Sequence, residues 1–140
     1  MSKFSGLGLS VDSPARLIIL DPTTRQPLRN AETGEEAWIE MLSASGSVAR
    51  AHDRVVTDKQ LKMRGRRMTA EEMDADQTEK LAKLTKAWKL VTLSGQPIEV
   101  DCTQANAREL YSLAELAWLR DQAFEHCMDA GVFRQDASKS

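Results

Sequence analysis

The segment from Trp88 to Phe133, WKLVTLSGQPIEVDCTQANARELYSLAELAWLRDQAFEHCMDAGVF, constrains the fold most, because chain breakers, helix-start signals and spaced aromatics alternate along it. Leu90 to Leu93 and Ile98 to Val100 read as two short strands around the turn residues Ser94-Gly95-Gln96-Pro97. A two-stranded ribbon is only marginally stable by itself, so it has to pack on something. Asp101 or Thr103 can cap the helix that follows, Ala105 to Tyr111. Ser112-Leu113-Ala114-Glu115 has capping-box spacing, which predicts a bend at Ser112 and a further helix running to Met128. Leu116, Leu119, Ala123 and Cys127 recur at helical spacing, with Trp118 beside the stripe. Asp129-Ala130-Gly131 should end that helix and let Val132-Phe133 fold back onto its apolar face. His126, in its last turns, suits the negative end of the helix dipole.

Upstream, the pattern divides into strand and charged helix. Residues 1–14, rich in Ser and Gly and without period, read as a flexible arm in which Phe4, Leu7 and Leu9 are the apolar exceptions. Leu17 to Leu20 is a β-prone run closed by Asp21-Pro22, and Ala37 to Leu42 is a second after the Gly34 turn. The two should pair as a β-hairpin with a long loop. Val48 to Met63 reads as helix, weakened by the β-branched patch Val55-Val56-Thr57 and interrupted at Gly65. Thr69-Ala70-Glu71-Glu72 is a capping box that starts a helix predicted from Ala70 to about Leu90, ending near Trp88. Its stripe is Met73, Leu81, Leu84, Ala87, Trp88 and Val91, and Asp76 stands four residues before Lys80 for a helix-surface pair. The expected fold is therefore α+β and predominantly helical: an N-terminal β-hairpin, charged central helices, a short β-ribbon and a C-terminal helical pair. One domain should span residues 15–134, followed by the polar tail 135–140.

Composition narrows the function classes. With 41% hydrophobic and 29% charged residues, a chain of 140 can bury a core without disulfides or metal. A net charge of -2 argues against bulk attraction to nucleic acid or an anionic membrane. The basic cluster Lys59, Lys62, Arg64, Arg66 and Arg67 is answered at once by Glu71, Glu72, Asp74, Asp76 and Glu79, and no aromatic is interleaved to stack bases, so nucleic-acid binding is disfavoured. The same charge pattern would suit a contact between copies in a homo-oligomer. The longest apolar run, Leu17 to Leu20, falls far short of the ~20 residues of a membrane span, and no charged-then-apolar leader opens the chain, so a cytoplasmic protein is expected. Cys102 and Cys127 lack paired spacing and, with His52 and His126, lack metal-ligand spacing. No nucleotide, metalloprotease or nucleophile-elbow motif is present, which predicts no enzyme activity and no cofactor. Trp38, Trp88, Trp118 and Phe133 are first of all core candidates, and Trp118 with Leu116 and Leu119 makes a wider apolar surface than one helix face needs.

The order of Trp88, Gly95, Pro97, Ala107, Trp118, Gln122 and Phe133, preceded by the strand pair ARLIILDPTTRQPL and AWIEML and a charged helical middle, resembles the tail assembly chaperones of long-tailed (siphophage-type) bacteriophages and prophages. One departure is Leu116-Ala117, where a proline often stands in such sequences. The resemblance implies an assembly factor in the host cytoplasm that is not part of the mature virion. It would bind the tape measure protein while tail tube subunits polymerise around it, and many such chaperones also exist as a longer frameshifted form. The partner-contact candidates are Trp88, Leu116, Trp118, Leu119, Gln122 and Phe133. Two other readings compete: a structural protein of the tail or head-tail junction, using the same elements in permanent contacts, and a host-directed adaptor or DNA-binding regulator, resting on the Lys59 to Arg67 cluster.

Overall fold

A computed structural model describes residues 8–9, 11–63 and 65–133. Strands β1 (Ala15–Ile18) and β2 (Trp38–Met41) form the expected antiparallel hairpin, with Leu17 opposite Ile39. Their long connection is itself folded. Leu28, buried, donates its N–H to Ile19 and accepts at its C=O from Ala37, so the loop is laced into the hairpin's end. On β2 the residues alternate as the pleat requires, Ile39 and Met41 fully buried and Trp38 and Glu40 half-buried. Arg16 lies over the Trp38 ring at 3.9 Å and pairs with Glu40, which covers the outer face.

Two helices follow, α1 (Ser47–Lys62) and α2 (Ala70–Leu84). The start of α1 has Gly46 at its cap position and no cap from its own turn; Asp12 supplies it from far upstream, its Oδ1 accepting both the N–H and the hydroxyl of Ser47. Asp12 thus ties down the end of the arm, whose residues 1–7 and 10 lie outside the described residues, as does the tail. The predicted capping box starts α2: the Thr69 hydroxyl accepts the Glu72 N–H at 3.1 Å, and Glu72 reaches back to the Thr69 N–H.

The end of α2 differs from expectation. The helix stops at Leu84, and the residues from Thr85 onward form β3 (Thr85–Val91), so Trp88 stands in a strand. Apolar spacing continued the helical stripe through Val91, but β2 needs a second partner, and pairing of Ile39 with Trp88 and of Glu40 with Ala87 provides it. Thr85 makes the change of direction: its hydroxyl donates to the Leu81 C=O and meets the Tyr111 hydroxyl at 2.7 Å, both inside the core. The ribbon is completed by β4 (Pro97–Ile98), giving a four-stranded sheet in the order β1-β2-β3-β4.

The C-terminal pair is α3 (Gln104–Ser112) and α4 (Ala117–Met128). Thr103, not Asp101, caps α3 by accepting the Asn106 N–H. The break at residue 113 is present, but the Ser112 capping box is not formed: the Ser112 hydroxyl turns back to the Glu109 C=O, and a single 3-10 turn, Ala114–Leu116, leads into α4. Phe133 folds back as expected and is buried against the His126 ring, 5.9 Å between centroids. The core joins β2, α2, α3 and α4 through Ile39, Met41, Leu81, Leu84, Tyr111 and Leu119.

Gly95 anchors the ribbon turn to the hairpin loop. Its φ is +91°, its C=O accepts the Ala31 N–H, and a Cβ there would stand 2.8 Å from the Ala31 side chain. Gly95→Ala should cost about 2 kcal/mol, from a left-handed backbone plus the clash, in urea unfolding monitored by tryptophan fluorescence. A loss below about 0.5 kcal/mol would contradict the close approach.

Candidate protein-binding surface

A groove of about 310 Å³ runs between α1, α2 and α4, and its apolar lining is Val56, Met68, Met73 and Phe124. Met73 is 54% exposed and Phe124 40%, so large apolar area stays open to solvent there. Methionine is unbranched and polarizable, and it repacks around differently shaped apolar partners at small cost. The groove is held open by polar anchors at its sides. Arg120 of α4 pairs with the Asp74 carboxylate of α2 at 2.9 Å and donates to Gln77, which places Phe124, one turn on, at the groove's edge. Lys80 of α2 pairs with Asp53 of α1 at 3.0 Å, and not with Asp76. Gln60 donates to the Met68 sulfur.

His52 closes the floor. It is buried between the two helices, with Nδ1 3.2 Å from the Lys83 ammonium. An ammonium can only donate, so Nδ1 must accept and the ring must be neutral. Burial first, then the Lys83 charge, holds the His52 pKa below its usual 6.5, against the opposing pull of Asp53 and Asp76. Asp76 Oδ2 is buried beside it without a hydrogen-bond partner among the described residues.

On its other side α2 is clamped to α3. Glu79 binds the Arg108 guanidinium and accepts from Gln104, and the Arg108 bond above all pulls the Glu79 carboxyl down to about 2. Burial pushes the Cys127 thiol up to about 11 and raises Cys102, so both are poor nucleophiles. Among the described residues, no three of His, Cys, Asp and Glu gather closely enough to hold a metal ion, and no helix is long and apolar enough to cross a membrane.

None of the six residues singled out from the sequence lines this groove. Leu119 and Phe133 belong to the core, 4% and 2% exposed. Trp88, Leu116 and Trp118 are half-buried. Trp88 donates its indole N–H to the Val100 C=O at 2.7 Å and lines a separate groove of about 480 Å³ against Pro97 and Ile98. Gln122 is held by the fold itself. Its amide accepts the Leu20 N–H at 2.9 Å and donates to the Leu20 C=O at 2.8 Å, standing in for a strand partner at the end of β1. The groove residues carried a weaker signal. Phe124 and Met128, four apart, lie off the Leu119–Ala123–Cys127 stripe, so α4 is apolar on more than its core face.

No protein-family model matches the chain, and no curated protein and no solved structure matches it either.

Two outcomes follow from this geometry. Gln122→Met keeps the volume but leaves both Leu20 backbone groups without partners, so it should cost about 2 kcal/mol in equilibrium unfolding; a cost under about 0.5 would show that water replaces the amide. The second concerns pH. His52 and His126 both have folded pKa values lowered by burial. As pH falls through about 6.5 the unfolded chain takes up protons that the folded chain refuses, so stability is full above that pH and declines below it. The decline between about pH 7 and pH 5 should largely vanish in the His52→Asn/His126→Asn double variant; an unchanged slope would contradict the neutral assignment.

Proposed function

We propose that this protein is a tail assembly chaperone of a long-tailed bacteriophage or prophage, acting in the host cytoplasm on the tape measure protein while tail tube subunits polymerise around it. The sequence order from Trp88 to Phe133 supports the family reading. The open groove between α1, α2 and α4, with Met73 and Phe124 exposed in it, is the observation that carries the client-binding part. A chaperone has to shield apolar surface and then release it, which favours an adaptable apolar strip with a polar rim over a deep, rigid pocket. Met73 and Phe124 provide the strip, and the Asp53–Lys80 and Asp74–Arg120 pairs form the rim. The groove on the α1 side, not the buried Leu119 and Phe133, is the client surface in this reading.

The test is co-expression with the tape measure protein and the tail tube subunit, capture through a tag on this chain, and probing of purified particles. The chain should capture the tape measure protein and be absent from particles. The Met73→Glu/Phe124→Glu variant should lose capture by at least tenfold, equivalent to about 1.4 kcal/mol, with an unchanged circular dichroism spectrum. Fixed stoichiometry in particles would instead make it a structural tail or head-tail junction protein, and capture indifferent to the two substitutions would remove the groove from the reading.

A further inference from the structure

The sheet is left unfinished at its β4 end. Strand β3 runs from Thr85 to Val91, yet β4 pairs with it only at Leu90 and Val91. Successive residues of a strand turn their backbone groups to opposite neighbours. The Thr92 N–H donates to the Gln96 C=O, so Leu90 and Trp88, which share its parity, also turn their N–H and C=O to the β4 side. Leu90 meets Ile98 there. In continued register Trp88 would meet Val100, but β4 ends at Ile98, and the backbone N–H and C=O of Trp88 have no hydrogen-bond partner among the described residues. The Val100 C=O that would receive the Trp88 backbone N–H is taken by the Trp88 indole N–H instead, at 2.7 Å.

The opening so formed is the groove of about 480 Å³ beside Trp88, and Trp88, Ile98 and Val100 give it apolar walls. Ile98, Glu99, Val100 and Asp101 are all exposed. Glu99 and Asp101 form no ion pair among the described residues, and Lys89, the one cation among the described residues that line the groove, is bound to Glu35. Backbone groups in ladder positions, apolar side chains and two free carboxylates therefore meet at one place. The first select an extended chain, and the last select a cation on it. A second copy of this chain fits badly, because two such edges would bring Glu99 and Asp101 against their own kind. The outer edge of β4 is blunted as well, since Pro97 has no N–H to offer there. The receptive position is the one beside Trp88.

We propose that this notch binds an extended, basic segment of a second protein, distinct from the client held between α1, α2 and α4. The segment takes the ladder place opposite Trp88 that this chain gives up after Ile98, sets an apolar side chain against Trp88 and Val100, and brings a lysine or arginine to Glu99 and Asp101. Main-chain bonds hold the segment and the two carboxylates choose its charge. The site is built from other elements than the groove at Met73 and Phe124, so it stands whether or not the client there is a tape measure protein.

Titration of the isotope-labelled full chain with a short capped peptide of alternating lysine and valine, followed by NMR, tests this. The Trp88 backbone amide, its indole N–H and the Glu99 amide should shift saturably at about 1 mM peptide or below, while the amides of Val56, Met73 and Phe124 stay in place. The Glu99→Lys/Asp101→Lys variant, with an unchanged circular dichroism spectrum, should bind the peptide at least about tenfold more weakly. A peptide N-methylated along its backbone, which keeps the charge and loses the N–H donors, should weaken by a similar factor. No saturable shift up to that concentration, equal binding of a glutamate–valine peptide, or indifference to either the variant or the methylation would overturn the proposal. So would shifts confined to Val56, Met73 and Phe124, which would give the peptide to the other groove. Shifts of Trp88 and Glu99 that grow with protein concentration alone would give the edge to a second copy and overturn it too.

Discussion

Thr85 is the point on which the arrangement of this fold depends. Its buried hydroxyl donates to the Leu81 carbonyl at the end of α2 and accepts from the Tyr111 hydroxyl of α3. The bond ends the helix, starts β3 and fixes α3 against both. Without it the Tyr111 hydroxyl would be left buried and unpaired, at a cost of about 1–3 kcal/mol, and the Leu81 carbonyl would keep only the Thr85 N–H. Burial has already raised the Tyr111 pKa, so the phenol remains a neutral donor.

Once α2 is fixed at that end, its three faces decide where everything else goes. Leu81 and Leu84 enter the core, Lys80 and Lys83 receive α1, and Glu79 receives α3. Arg120 fastens α4 to the opposite end of α2, beside Asp74. The open groove is a consequence of one helix paired through its charged residues to α1, α3 and α4 and packed through Leu81 and Leu84 into the core. Exposed ion pairs contribute little stability individually. Their effect here is positional, because they select which side of α2 each neighbour takes.

Local chemistry made much of this legible in the sequence. The Thr69 box, the Thr103 cap, the Gly95 turn and the hairpin strands are decided within a few residues, and they form. What needed distant partners was not legible. Helical spacing ran on through Trp88 because nothing local opposes it, whereas β2, far earlier in the chain, claims those residues as a strand. Ser112 had the spacing for a cap, but its hydroxyl donates back to the Glu109 carbonyl and accepts no N–H from the turn ahead. The cap of α1 comes from Asp12, across a gap no periodicity can show. For the site, the wide apolar surface of Leu116, Trp118 and Leu119 pointed to Trp118, and the family resemblance to Phe133, yet Leu119 and Phe133 fill the core, as their size and apolar character predict. Phe124 and Met73 line the groove because helices from three parts of the chain meet there.

Whether the groove between α1, α2 and α4 receives the client can be read by hydrogen–deuterium exchange of this chain with and without the tape measure protein. Client binding should slow exchange in the peptides containing Val56, Met73 and Phe124, which come from those three helices, and leave the ribbon around Ile98 unchanged. Protection confined to the ribbon and Trp88, or none in any of the three helices on client binding, would contradict a client surface in the groove.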